Sequence, residues 1–586
     1  MSQQPNNEFR LKRGNKILEY ISRFSATERA IFGIFVILAL ISALMLASQA
    51  NDLFMSKIPA VGGELNEGEV GLPRTINPVL AVSDVDRDID ALVYSGLTTY
   101  KNGELVPDLA QSWTVSDDGL TYDFTLKDGL EFQDGTQLTA DDVAFTIQKI
   151  QDPILKSPRQ GDWANVTVKV VSSNEIQFIL KQPYSGFLSN TIIGILPKHI
   201  WNSVSDDQFI FSQYNIQPVG SGPYKIGSIT RDSGGIPTSY SLTSWSGYAG
   251  ERPYIRTIAF NFFSNQEKAL AALNAGTIDS LSSIDPAAAK SLDSNTAQGY
   301  AIDVTPLPRI FGVFFNQNQS TVLADPTVRE ALNMATDRKD IIDNILSGYG
   351  VPAYDPIPSR LLSELGIDDS APDAGTSTAD IAGAQALLEK HGWEKDSNGI
   401  YEKKSSSTKS PATVLAFDIY TADAPDLVAT ANLLKVQWAA LGADVGVQIF
   451  EPSDLYQNVI RTRKYDALLF GEQIGKDRDL YSFWHSSQRN APGLNVALYA
   501  NSKVDTVLSD IRSTLSTTTM ASDFVKLDQL IADDTPAIFL YSPDFIYAVP
   551  KDLHGMDLKG IVTASDRLSS VEDWYLETQK VWNIFK

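Results

Sequence analysis

The sequence predicts a multi-domain α/β protein carried behind one membrane-spanning helix. Three observations support this. The chain has 586 residues, more than one hydrophobic core usually serves, so two or more domains are expected. Residues 413–450 read as strand, helix, strand, the unit of a parallel sheet. Residues 30–47, AIFGIFVILALISALMLA, carry no charge.

That apolar run comes first. Eighteen helical residues span about 27 Å, against a hydrocarbon core of roughly 30 Å. Arg10, Lys12, Arg13, Lys16, Arg23 and Arg29 precede it, and Asp52, Glu64, Glu67 and Glu69 follow. Positive charge favours the cytoplasmic side, which puts residues 1–29 inside and everything after about residue 50 outside. A cleaved signal peptide is the competing reading, because Ser48-Gln49-Ala50 is a small-x-small site. The basic region is long and the apolar core exceeds signal-peptide length, which favours a retained single-pass anchor. Residues 48–62 read as a tether.

The exported part mixes strands and helices. Thr121–Lys127, TYDFTLK, puts Tyr122, Phe124 and Leu126 on one face of a strand. Asp128-Gly129 and Asp134-Gly135 are turn dipeptides, so this region reads as antiparallel. Thr139 and Asp142 form a capping box ahead of the stripe Val143, Ile147, Ile150. In the second half, Thr413–Tyr420 is a strand, a helix starts near Pro425 and stops at Gly442, and Val445–Phe450 is the next strand. Residues 364–380 and 402–410 are polar and read as surface loops.

Composition excludes several functions. Hydrophobic content of 43% with 10% aromatics is ordinary for a globular protein. A net charge of −23 repels phosphate backbones, so nucleic acid is not an expected partner. With no cysteine there is no disulfide, thiolate metal site or cysteine nucleophile.

The catalytic patterns fail on spacing. Gly471-Glu-Gln-Ile-Gly475-Lys476-Asp477 has three residues between its glycines where a phosphate loop needs four. Asp477 stands where a Ser or Thr must hold magnesium. DVDRDID, Asp84–Asp90, alternates like a calcium loop, but Ile89 stands at the glycine position and Ser95 at the final acid. An acidic helix start suits it better. His199, His391, His485 and His554 have no ligand spacing among them, and no Gly-x-Ser-x-Gly occurs. No metal or cofactor is expected. Carboxylates are abundant enough that an acid pair across a cleft stays open, so a surface hydrolase remains a minor alternative.

Five stretches in order resemble the bacterial family 5 extracytoplasmic solute-binding proteins of peptide- and nickel-type ABC transporters. They are Ile76–Gln148 (INPVLAVSDVDRDIDALVYSGLTTYKNGELVPDLAQSW and onward), Pro218–Ile226 (PVGSGPYKI), Ala269–Leu281 (ALAALNAGTIDSL), Gly312–Asp343 and Pro536–Gly555. The resemblance covers residues 63–586. It implies a periplasmic-binding-protein-like fold of two lobes, the larger with an extra domain, and a non-enzymatic function. Domain I would take about 58–97, 212–307 and 540–586, domain II about 98–211, and domain III about 308–539. The lobes would be joined near 306–314 and 537–541.

The resemblance further implies a monomer that captures a peptide by hinge closure and delivers it to an ABC permease and ATPase complex. A peptide-signal receptor on the same fold is an alternative, as is a non-peptide solute such as an oligosaccharide or chelated metal. Ligand contacts implied are Ser83 and Asp84, and the aromatics Tyr94, Trp245, Tyr420, Phe483 and Trp484 as cleft walls. Oligopeptide-binding relatives carry Gly-Trp-x-x-Asp, whose aspartate pairs with the peptide amino group. Here Gly471 matches, Glu472 replaces the Trp, and Gly475 stands at the aspartate position. Glu472 is the expected substitute acid, with Asp477 and Asp479 as alternatives. Glu472→Gln is then expected to weaken an amine-bearing ligand tenfold or more. Lys476, Arg478 and Asp479 read as a solvated turn, and His485 as structural.

Overall fold

The computed structural model describes residues 24–53, 55–101, 103–293, 299–367, 378–405 and 411–582. The basic residues Arg10, Lys12, Arg13, Lys16 and Arg23 lie outside the described residues, as do 368–377 and 406–410 of the two polar loops.

The chain forms two compact units. The smaller contains residues 1–60 and 576–586. Its helix runs over Ala26–Leu53, with an apolar span at Ala26–Leu46, none of it buried. A helix that is apolar all round and exposed over this span is long enough to cross a bilayer. Residues 48–62, read from the sequence as a tether, carry regular structure. The helix continues to Leu53, and Met55–Pro59 pairs antiparallel with Thr578–Trp582. The Pro and Lys in this segment do not prevent pairing on an edge strand, where one side of the ladder stays open.

The larger unit spans Val61–Tyr575. Its main sheet is organised around the 14-residue strand Ala537–Pro550. The first half of that strand pairs with Arg309–Phe315, from Phe314 opposite Ala537 to Phe311 opposite Tyr541. The second half pairs with Tyr300–Pro306, from Pro306 opposite Asp544 to Tyr300 opposite Pro550. On one side the sheet continues through Ala467–Gln473 to the parallel pair Ala416–Ala422 and Asp444–Phe450. The helix between that pair, Pro425–Leu441, ends on Gly442 at φ 115°, where a left-handed residue satisfies the last carbonyls. On the other side lie Ser280–Leu281, Gly62–Val70, Ile255–Phe263, Pro237–Ser244 and Tyr224–Arg231.

A separate antiparallel sheet orders Ala110–Val115, Thr121–Leu126, Glu175–Leu180 and Val166–Ser172. The helix Ala140–Gln151 starts on the Thr139–Asp142 capping box and buries Val143, Ile147 and Ile150. DVDRDID forms the acidic start of the helix Asp84–Val93, capped by Ser83.

One buried cluster ties distant segments together. Arg567, 0% exposed, reaches Glu67 at 2.9 Å, Glu69 at 2.9 Å and Asp88 at 2.7 Å. Tyr547 donates to Glu67 at 2.8 Å, and Ser280 also bonds Glu67. Burial works against the arginine's charge, and Asp88, Glu67 and Glu69 together hold it on. Burial first, then Asp88, pushes the Glu69 carboxyl well above the usual range. Removing the cation leaves three acids buried without it. Arg567→Met is expected to destabilise the chain by about 3–5 kcal/mol, read as a lower urea midpoint; an unchanged midpoint would contradict a structural role for the cluster.

Candidate ligand cleft

A cavity of about 560 Å³ lies between residues 161–187 and residues 473–512. This is within the roughly 300–1,000 Å³ usual for small-molecule sites. One wall carries Asp162, Asn165, Gln182 and Tyr184, and the other Gln473, Gly475, Asp477, Asp479, Phe483 and Arg512. A second cavity of about 270 Å³ shares Gly475 and Asp477 and adds Tyr100, Arg360 and Lys476.

The walls touch through polar groups. Tyr184 donates to Asp477 at 2.5 Å. Arg512 pairs with Asp479 at 2.9 Å and lies 5.2 Å over the Tyr184 ring. The Ser185 amide donates to the Arg512 carbonyl at 2.8 Å. Lys476 pairs with Asp566 at 2.9 Å and lies 4.3 Å over the Tyr100 ring. So Lys476 and Asp479 are held side chains rather than a solvated turn. Burial raises the Asp162 and Asp479 carboxyls, against the lowering pull of Arg159 and Arg512 respectively. Burial and the neighbouring acids raise the Tyr184 hydroxyl, so it stays a donor.

Two glycines permit this contact. A Cβ on Gly186 would come within 2.6 Å of the Asp477 Cβ, and a Cβ on Gly475 would run into the Asp477 carboxylate. The Asp477 carboxylate therefore fills the space beside Gly475 that a side chain there would enter.

Of the residues singled out from sequence, Gly475, Asp477, Asp479 and Phe483 line the larger cavity. The others lie elsewhere. Ser83 caps its helix, accepting from the Asp86 amide, and Asp84 pairs with Arg87 at the surface. Tyr420 stacks on Phe450 at 5.9 Å. Trp245 and Trp484 are buried, the latter against Phe314 and Phe539. Tyr94 lines a different cavity of about 250 Å³. Among the described residues, no three His, Cys, Asp or Glu side chains come together to hold a metal ion.

Glu472 is neither a solvated rim residue nor a wall of the large cavity. Strand alternation sends Gln473 to that cavity, while Glu472 lines a small apolar one with Phe470 and Leu494. It is 4% exposed and its Oε1 has no hydrogen-bond partner. Burial pushes its carboxyl well up, against a smaller lowering by the Trp484 indole. Tyr184, Asp162 and Arg512 were missed by the sequence reading, because each becomes part of a site only through residues hundreds of positions away.

A half-open cavity between two polar walls of a sheet-based body is the arrangement of a solute-binding protein of the two-lobed type. The chain belongs to the bacterial extracellular solute-binding proteins, family 5 Middle, whose family model matches residues 104–492. It is 29% identical over 530 residues to the oligopeptide-binding protein AppA of Bacillus subtilis (strain 168), covering 88% of this chain and 92% of that protein. The structure of Bacillus subtilis AppA in complex with a nonapeptide superposes with a TM-score of 0.69 at 27% identity, over 89% of this chain and 100% of that one. NikZ from Campylobacter jejuni in complex with Ni(L-His) gives 0.69 at 25% identity, over 87% and 99%.

The Glu472 environment makes a signed prediction. A carboxyl whose folded value is raised binds its proton in the folded chain where the unfolded chain has lost it. Its presence therefore costs stability as pH rises above the ordinary carboxylate range. Glu472→Gln is expected to raise the melting temperature at pH 7.5, with the gain shrinking as pH falls toward 4.5. It is expected to leave solute affinity unchanged. A lower melting temperature at pH 7.5, or weakened binding, would contradict this placement.

Proposed function

We propose that this chain is the membrane-anchored capture component of an ABC importer for peptides, closing over its solute and handing it to a permease. The observation that carries the reading is the acid-lined cavity of about 560 Å³ between two walls in polar contact. Wet, polar walls suit the main chain of a peptide and leave room for variable side chains. The apolar helix Ala26–Leu46 supports anchoring, with the binding body outside the membrane. The proposed division takes domain II as about 98–211 and domain III as about 308–539, with crossings near 306–314 and 537–541.

Asp477 is the proposed partner of the peptide amino group. Its carboxylate stands beside Gly475, the position at which the family pattern carries an aspartate. A buried ion pair needs further hydrogen bonds to offset desolvation, and Tyr184 supplies one to Asp477.

Native mass spectrometry of the full chain in detergent, purified without refolding, tests this. A co-purified set of peptide masses is expected. Asp477→Asn is expected to lose them and to bind N-acetylated and free-amine peptides equally, whereas the unmodified chain prefers the free amine tenfold or more. A co-purified sugar or metal chelate, or an amine preference intact in Asp477→Asn, would overturn the peptide assignment.

A further inference from the structure

The smaller unit brings distant parts of the chain together. Met55–Pro59, which follows the apolar helix, pairs antiparallel with Thr578–Trp582. Met55 stands opposite Trp582, Lys57 opposite Lys580, and Pro59 opposite Thr578. Directly opposed residues share a face of a ladder, and alternate residues along each strand return to it. One face of this ribbon therefore carries Met55, Trp582 and both lysines. The other carries Ser56, Ile58, Gln579 and Val581.

The first face is the more open one. Trp582 is 47% exposed, and Lys57 and Lys580 are exposed, whereas Ser56, Ile58 and Val581 are half-buried. Like charges directly opposite each other work against strand pairing, and two strands alone make a marginal ribbon. A surface that is negative beside the lysines and partly apolar beside the tryptophan relieves both.

The helix places the ribbon at such a surface. Its 28 residues measure about 42 Å, close to the roughly 40–45 Å of a bilayer with both headgroup layers. With the uncharged run 30–47 in the hydrocarbon, Leu53 reaches the headgroups, and the first strand starts two residues beyond it. Tryptophan is favoured at that depth, and lysine lays its stem along apolar surface while its ammonium stays among polar groups. Neither strand contains an acid, in a chain of net charge −23. An anionic surface repels so acidic a chain as a whole and attracts this ribbon. Free phosphate could pair with the lysines but would leave Met55 and Trp582 in water.

We infer that the face formed by Met55, Trp582, Lys57 and Lys580 binds anionic lipid headgroups of the membrane that the helix crosses. The C-terminal strand is then a second contact with the bilayer. This rests on the helix being a retained anchor, as proposed above.

Spin-label accessibility of the full chain in vesicles tests it. The chain has no cysteine, so single labels go on Leu38→Cys in the helix, Thr578→Cys on the lysine face and Gln579→Cys on the opposite face. The vesicles are phosphatidylcholine alone, or phosphatidylcholine with phosphatidylglycerol. The Leu38 label is expected in lipid in both. The Thr578 label is expected to lose about threefold of its collisions with an aqueous nickel chelate when phosphatidylglycerol is present, and the Gln579 label to keep its own. Lys57→Glu sets an opposite charge across from Lys580, which favours pairing, so it tests lipid binding without opening the ribbon. It is expected to abolish the protection at Thr578. A Leu38 label in water overturns the anchor, and this inference with it. A Leu38 label in lipid overturns the inference alone if Thr578 is equally open in both vesicles, if Gln579 is protected as much, or if the protection survives Lys57→Glu.

Discussion

The strand Ala537–Pro550 gives its backbone hydrogen bonds to two different sets of partners. Residues 537–541 complete the ladder of Arg309–Phe315, and residues 544–550 complete that of Tyr300–Pro306. Most of its length is paired on one ladder or the other, so neither half of the sheet can leave without unpairing buried backbone groups. The register on Arg309–Phe315 shifts between Phe311 and Gly312, and a Cβ on Gly312 would lie 2.9 Å from the Ile538 carbonyl. A strand shared in this way keeps the halves together while a local irregularity leaves room for bending. The wall that begins at Gln473 continues the strand Ala467–Gln473, which pairs with Arg309–Phe315.

Around that scaffold the molecule concentrates charge where it can be answered. The acids buried at Glu67, Glu69 and Asp88 surround one arginine, which joins Gly62–Val70 and the helix Asp84–Val93 to the C-terminal segment. In the cleft, Asp477 and Asp479 are answered across or beside the gap by Tyr184 and Arg512. Glu472, Asp90 and Asp108 are exceptions, buried without a contacting base. They differ in surroundings: Glu472 faces apolar side chains, whereas Asp90 and Asp108 share a polar cavity with unpartnered hydroxyls. The first is a cost to the fold.

Much of the fold was legible because its signals are local. The Thr139–Asp142 capping box, the stop at Gly442 and the acidic start at Asp84 each act within a turn or two of chain. The motif order along the chain carried the family. The site was legible only in part. Gly475 and Asp477, close together in one loop, and Phe483, in the short helix that follows, line the cavity. Glu472, expected as the acid for a ligand amine, is turned inward by strand alternation, which charge alone does not signal. Tyr184 meets Asp477 across 293 positions, and Arg567 meets Glu67 across 500, separations that no window along the sequence can join. The pairing of Met55–Pro59 was not legible locally, because its partner strand, Thr578–Trp582, lies far along the chain.

The central claim is that the walls around Asp477 close on a solute. With no cysteine in the chain, cysteines introduced at the exposed positions Lys169 and Lys526 can carry spin labels without competing sites. The distance between them, measured by pulsed electron spin resonance with and without a saturating co-purified peptide, reads closure directly. A solute-free distribution that includes a longer distance and collapses to one shorter distance with peptide is the expected result. A distribution that peptide leaves unchanged would contradict the account.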